Sequence, residues 1–181
     1  MKLHLGCNRR DFGSEWIHID GGDFPHLHSH DITNIPFVDN TFDIIYASHV
    51  LEYFDRDEVI EVLKEWRRVL KHGGILRLAV PDMWKMMYLC VNKGYSINKF
   101  LGPIYGKMKM DEKTIYHKTG YDRNSLILLL EENGFGGVKD WNWKEVEHGK
   151  FDDCSQAYIP HMDKKNGELI SLNLECIKYE L

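Results

Sequence analysis

Thirteen residues lie between Gly6 and Asp20, and that short distance constrains the fold of this chain more than any other feature. "KLHLG" reads as a strand stopped by a glycine, and "WIHID" (Trp16 to Asp20) as a second strand ending in an acid. Strand, glycine turn and acid-tipped strand form the outline of a nucleotide-binding start. The interval cannot hold a full helix with its two loops, so the first helix shrinks to a turn over Arg9 to Ser14. Asn8 stands where a second glycine is usual. These two departures would cripple a dinucleotide site, because a pyrophosphate must sit against bare amides at a helix N-terminus. A ligand without phosphates would tolerate them.

The rest of the chain alternates strand and helix signals. "TFDIIYAS" (Thr41 to Ser48) is β-branched and aromatic enough for a buried strand. "DRDEVIEVLKEWRRVLKHGG" is the clearest helix: Asp55 and Glu58 make a capping-box pair, and Val59, Leu63, Trp66 and Leu70 share a face that Val62 and Val69 widen. Arg67, Arg68 and Lys71 suit the helix C-terminus, and Gly73 suits a left-handed end. "ILRLAVPD" (Ile75 to Asp82) is a further strand, Trp84 to Asn92 a helix ending near Gly94, and Asp122 to Asn133 a helix stopped by Gly134. Gly21 to Asn40 is mostly loop with an extended piece at His30 to Phe37, and Tyr95 to Gly120 is irregular. Val138 to Trp143 and the alternating "LISLNLECIKY" close the chain as an antiparallel pair.

This order predicts an α/β fold with a mainly parallel sheet and an antiparallel edge strand, in one domain over residues 1–181. Ligands of such sheets bind beyond the carboxyl ends of the strands. Those ends are Gly6, Asp20, Asp31, Ser48, His49 and Asp82.

Composition excludes some partners. A net charge of −5 gives no blanket attraction to nucleic acid or anionic membrane. The densest apolar run, "LILLL" (Leu126 to Leu130), is too short for membrane insertion, and "MKLHLGCN" carries no secretory pattern. The four cysteines form no C-x-x-C pair, so no zinc knuckle or disulfide framework is expected and a cytoplasmic setting is. "HLHSH" (His26, His28, His30) places alternate imidazoles on one face if extended, but in a loop without geometric lock no metal site is assigned.

The stretches "LHLGCN", "HID", "HDITNIPFVDNTFDIIYASHVLEYF" and "EWRRVLKHGGILRLAVPD" resemble the class I S-adenosylmethionine-dependent methyltransferases, most specifically through D-I-x-x-I-P-F-x-D-x-x-F-D followed by R-V-L-K-x-G-G. The resemblance covers roughly Lys2 to Asp82, and "YHKTGYDRNSLILLLEENGF" looks like the usual later region. It points to a small bacterial-type subgroup with an abbreviated N-terminus, often associated with polysaccharide or cell-surface assembly. It implies a Rossmann-like three-layer sandwich and S-adenosyl-L-methionine as cofactor. It also implies that Asp20 accepts from the ribose hydroxyls and that Asp31 and Ile32 frame the adenine. Gly6 lets the backbone approach the methionine part, with Cys7, Asn8 and Gly21 beside it, and Ser48 lies where the fourth strand meets cofactor and acceptor. Arg9 or Arg10 is a candidate for the cofactor carboxylate.

The implied reaction is in-line displacement of a methyl group by a small-molecule or glycan-type acceptor, most simply a hydroxyl oxygen. Such an acceptor benefits from a base. His49 is the first candidate, His117 the second and Asp82 the third; each has a structural alternative, as cap of the next helix, orienter of a lid, and cap of the Trp84 helix. Residues 83–120 are expected to form a substrate lid, with Asp152 to Gly167 as the other specificity segment. "YGKMKMDEKTIYHKTGYDR" mixes lysines and tyrosines as an RNA-binding segment does. However, the fourth strand ends in "ASHV" rather than the D/N-P-P-Y/F of nucleobase amine methylases, so nucleic acid is not the expected partner. A degenerate fold serving as a binding partner is the reading from a different class, favoured by the missing helix and opposed by the intact Asp20 and Asp31.

Overall fold

The computed structural model describes residues 1–110 and 112–179. Its elements are β1 (Lys2–Leu5), β2 (Trp16–Ile19), β3 (Phe42–Ser48), α1 (Glu58–Val69), β4 (Leu70–Pro81) and α2 (Met83–Lys93). A short helix α3 (Leu101–Tyr105) and a hairpin of β5 (Met108–Met110) and β6 (Lys113–Ile115) follow. The chain ends with α4 (Arg123–Glu132), β7 (Phe135–Asp140), the small pair β8 (Tyr158–Ile159) and β9 (Glu168–Leu169), and the long β10 (Ser171–Lys178).

The main sheet has the order β2-β1-β3-β4-β10-β7. β1 is parallel to β2 and β3, and β3 to β4. β10 is antiparallel to both β4 and β7. The antiparallel pairing of the last two strands is as expected, but the order within it differs: β10 lies one position in and β7 forms the edge. Burial explains this order. β10 is buried along nearly its whole length on both faces, so it needs a neighbour on each side. β7 carries two glycines and exposed charges, which suit an edge.

Local signals were obeyed closely around α1. Oδ1 of Asp55 accepts from the Glu58 N–H and Oε2 of Glu58 accepts from the Asp55 N–H, both at 2.9 Å. The helix ends at Val69, because Leu70 already pairs with Phe42 of β3. Lys71 to Gly74 loop outward and the strand resumes at Ile75 opposite Ile44. Gly73, with φ +71°, therefore turns this excursion and does not end the helix. β7 begins three residues earlier than the sequence pattern suggested, and no strand forms at His30 to Phe37; an isolated bridge joins Ser29, just before that stretch, to Ile19.

The two faces of the sheet are covered differently. On one, α1 and α4 bury Val59, Leu63, Trp66, Leu126 and Leu130 against the apolar side chains of β1, β3, β4 and β10. The other face carries His4, His18 and Tyr46, and among the described residues no α-helix packs on this cluster. Phe12 stacks on His4 with ring centres 4.0 Å apart and on Phe151 at 4.7 Å, while His148 lies 4.1 Å from Tyr46. The Phe12 N–H donates to Nε2 of His18 at 2.9 Å, and Tyr46 donates to Oδ2 of Asp153 at 2.6 Å. The third layer of the sandwich is thus built of turns and 3-10 segments at Trp143–Glu145, Glu147–Lys150 and Cys154–Gln156. Phe12 in the shortened β1–β2 connection covers sheet that a helix would otherwise cover. Among the described residues no helix is long and apolar enough to cross a membrane.

Candidate cofactor and acceptor site

The β1 turn is held in a left-handed conformation by two successive devices. Gly6 has φ +65° and its N–H donates to the Ile19 carbonyl at 2.9 Å; Asn8 has φ +51°. A side chain at Gly6 would overlap Cγ2 of Val50. Asp20 then ties the turn to the end of β2: Oδ2 accepts from the Asn8 N–H at 2.7 Å and Oδ1 from the Gly22 N–H at 2.8 Å. An ionised carboxylate has about four acceptor sites, so two backbone donors leave capacity for two hydroxyls. Asn8 can stand in for the usual glycine because asparagine tolerates the left-handed region and the turn uses only its backbone N–H.

Other members of the expected rim divide into those that fit a ligand and those turned elsewhere. Cys7 points into the core, its thiol pushed up to about 12 by burial, so only its backbone can face a cofactor. Gly21 lies under the β5–β6 hairpin, where a Cβ would meet Sδ of Met110 at 2.8 Å. The same hairpin, through Met110, Glu112, Lys113 and Ile115, lines a cavity of about 410 Å³. Asp31 is exposed and accepts from Thr33 N and Oγ1, and the Ile32 carbonyl is fixed by the Trp66 indole N–H at 2.9 Å. Ser48 Oγ is buried with no hydrogen-bond partner among the described residues. Arg10 donates to the Asp152 carbonyl at 2.6 Å, holding the third layer, while Arg9 stays exposed. The three loop histidines diverge: His26 towards Cys7, His28 onto Phe37, and His30 to the Gly22 carbonyl.

At the carboxyl end of β3 the two leading base candidates meet. His49, with φ +54°, donates its backbone N–H to Ala79 and places Nε2 3.2 Å from Ser171 Oγ. Its Nδ1 lies 3.6 Å from Oε1 of Glu52, and Nε2 of His117 lies 3.6 Å from the same oxygen. Glu52 is fully buried, and neither carboxyl oxygen has a hydrogen-bond partner among the described residues. Burial pushes its carboxyl up to about 8 and pulls His49 down to about 3, with His117 also lowered by burial. Sequence reasoning missed Glu52 because "HVLEYF" reads as an ordinary approach to a helix. The usable signal was its spacing three residues after His49, one helical turn away. Asp82 is raised by burial and caps α2 through the Lys85 N–H at 2.9 Å, which is its structural alternative.

A family described as "Methyltransferase domain" matches residues 11–78, the stretch containing Asp20, Asp31, Ser48, His49 and Glu52. The fold is that of the class I S-adenosylmethionine-dependent methyltransferases, and the methyltransferase family matches the chain within its first half. The chain aligns over 98% of its length with a SAM-dependent methyltransferase from Archaeoglobus fulgidus, covering 85% of that chain with a TM-score of 0.59 at 16% identity. It aligns over 99% of its length, and 71% of the other chain, with the Burkholderia thailandensis 1,6-didemethyltoxoflavin-N1-methyltransferase solved with S-adenosylhomocysteine, with a TM-score of 0.58 at 11% identity. In sequence it is 33% identical to a demethylmenaquinone methyltransferase of Staphylococcus haemolyticus over 63% of this chain and 49% of that protein. The chain thus spans about half the length of the curated relatives it matches. S-adenosylmethionine is the cofactor of this family, and the free acceptor capacity of Asp20 and the unpartnered Ser48 hydroxyl fit it.

Proposed function

We propose that the chain transfers a methyl group from S-adenosylmethionine to a small-molecule or glycan-type acceptor, at a hydroxyl oxygen. The observation that carries this reading is the Asp20 carboxylate, which organises the β1 turn with two backbone donors yet keeps two acceptor positions. S-adenosylmethionine supplies an electrophilic methyl carbon on a sulfonium. Asp20 accepts from the ribose hydroxyls, Asp31 and Ile32 frame the adenine, and Gly6 with the Cys7 and Asn8 backbone faces the methionine part, with Gly21 and Ser48 completing the rim. The segment 83–120 serves as the acceptor lid, since its hairpin already rests on Gly21. Much of the rate enhancement then comes from holding the acceptor in line.

A hydroxyl acceptor has a proton to lose, and the convergence of His49 and His117 on one carboxyl supports the oxygen assignment. His49 is the base in this reading, His117 belongs to the lid, and Asp82 is a helix cap. The named relatives act on demethylmenaquinone and on a toxoflavin nitrogen, both small molecules, and this supports a small acceptor over a nucleic acid. We place the activity in the cytoplasm, in keeping with four free thiols.

Incubation with methyl-labelled S-adenosylmethionine and a panel of small phenols, hydroquinones and sugars tests the reading. Label on oxygen in a His49-dependent manner supports it. Cofactor binding with no transfer to any panel member, and label instead on RNA, would replace the acceptor class. A folded chain that binds neither S-adenosylmethionine nor S-adenosylhomocysteine would be a binding partner on a methyltransferase scaffold.

A further inference from the structure

Hydrogen accounting around Glu52 leads beyond the base assignment, and it rests on the reading that His49 serves methyl transfer. The single hydroxyl hydrogen of Ser171 donates to Oδ1 of Asn173 at 2.8 Å. Ser171 Oγ can therefore only accept from Nε2 of His49, 3.2 Å away, which places the His49 hydrogen on Nε2. Nδ1 then presents a lone pair to Oε1 of Glu52. From the opposite segment, His117 brings its Nε2 to 3.6 Å from the same oxygen. The His49 lone pair aimed at a fully buried carboxyl favours the form of that carboxyl that carries the hydrogen.

We propose that Glu52 is the positioning residue that decides which nitrogen of His49 bears its hydrogen. With Glu52 neutral, Nε2–H of His49 donates to Ser171 and the imidazole cannot act as a base. With Glu52 ionised, Nδ1–H donates to the carboxylate and Nε2 offers its lone pair to the acceptor. In the methyl-transfer step the acceptor O–H bond would break, its proton going to Nε2 of His49, while an oxygen electron pair forms the new O–CH₃ bond and the S–CH₃ bond of the sulfonium breaks, its electron pair staying on the sulfur of the departing S-adenosylhomocysteine. The resulting imidazolium is paired with the Glu52 carboxylate, and the proton later leaves to solvent.

The groups facing Glu52 are His49 on its own loop, Tyr53 beside it, His117 from the lid, Tyr121 before α4 and Cys154 from the third layer. The two tyrosines and the cysteine are raised by burial, so they stay neutral as Glu52 ionises. The Glu52 carbonyl accepts from Lys118 N at 2.9 Å and Thr119 N at 3.2 Å, so the lid remains tied by main chain whatever the side chain is. Among the described residues no group of three donors is placed to hold a metal ion.

Long-range ¹H–¹⁵N NMR of the full chain tests this without an acceptor, the His49 signals being assigned by their absence in His49→Asn. The expected result is hydrogen on Nε2 near pH 6.5 and on Nδ1 above about pH 9, the switch following Glu52 ionisation. In Glu52→Gln the hydrogen should stay on one nitrogen throughout. An unchanged tautomer in the unsubstituted chain, a switch that persists in Glu52→Gln, or a divalent metal found in the sample would overturn the proposal. Calorimetry with S-adenosylhomocysteine on the same samples separates the two claims: absent binding overturns the methyltransferase reading, while the tautomer result still decides the role of Glu52.

Discussion

The backbone N–H of Asn8 donates to Oδ2 of Asp20 at 2.7 Å, joining the turn after β1 to the tip of β2. That bond is how a chain with almost no room between its first two strands keeps a defined ligand edge. In the proposed reading it also makes Asp20 structural and functional at once. Asp20→Ala is expected to lose about 1–3 kcal/mol of stability from two orphaned donors and most cofactor affinity. Asp20→Asn keeps one carbonyl oxygen and should retain more of the stability than of the affinity. Urea denaturation beside S-adenosylhomocysteine titration measures both.

Gly6 is constrained by backbone and by neighbour. Its φ of +65° disfavours any L-residue by roughly 1–2 kcal/mol, and the overlap with Val50 adds about 1–3 kcal/mol. Gly6→Ala should therefore be markedly destabilised. Adding Val50→Ala relieves only the second part, so a double-mutant cycle should show a favourable coupling. Simple additivity would contradict the packing account.

The turn-built third layer carries an acid weakness. Burial lowers His4 and His18, and brings His148 to about 3 with Arg77 and Lys2 lowering it further. These imidazoles stay neutral in the folded chain, whereas unfolded histidines take up protons below about pH 6.5. The contribution of these histidines should hold steady above that pH and fall as the pH drops from about 6.5 towards 3. His4→Phe removes one such group and an unpartnered Nδ1 while keeping the stack on Phe12, so it should flatten the acid limb in urea midpoints taken across pH.

Glu52 has the opposite signature. Its carboxyl is raised from 4.5 to about 8, so the folded chain must keep a proton that the unfolded chain gives up. Its contribution is full below about 4.5 and is lost as the pH rises towards 8. Glu52→Gln has no proton to lose. Thermal unfolding should show it close to the unsubstituted chain at pH 4.5 and higher in Tm by about 3 °C or more at pH 8.5.

What the sequence made legible was local. The capping box at Asp55 and Glu58, the αL glycine after α2 and the acid ending β2 each depend on residues a few positions apart. The insertion of β10 between β4 and β7 was not legible, because alternation marks a strand without marking its neighbours. Nor was the aromatic layer, in which Phe12 meets His148 and Phe151 across more than 130 positions. Glu52 was hidden for the same reason: its burial depends on His117, brought in by a distant segment.

The central claim is that this shortened β1–β2 edge binds a methyl donor through Asp20. Calorimetric titration of S-adenosylhomocysteine into the unsubstituted chain and Asp20→Ala tests it most directly. The account predicts one-site binding to the former and a loss of roughly 1.5–3 kcal/mol, about ten- to a hundredfold or more in Kd, in the latter, the range for hydrogen bonds to a charged group. Equal binding by both proteins, or none by the folded unsubstituted chain, would contradict it.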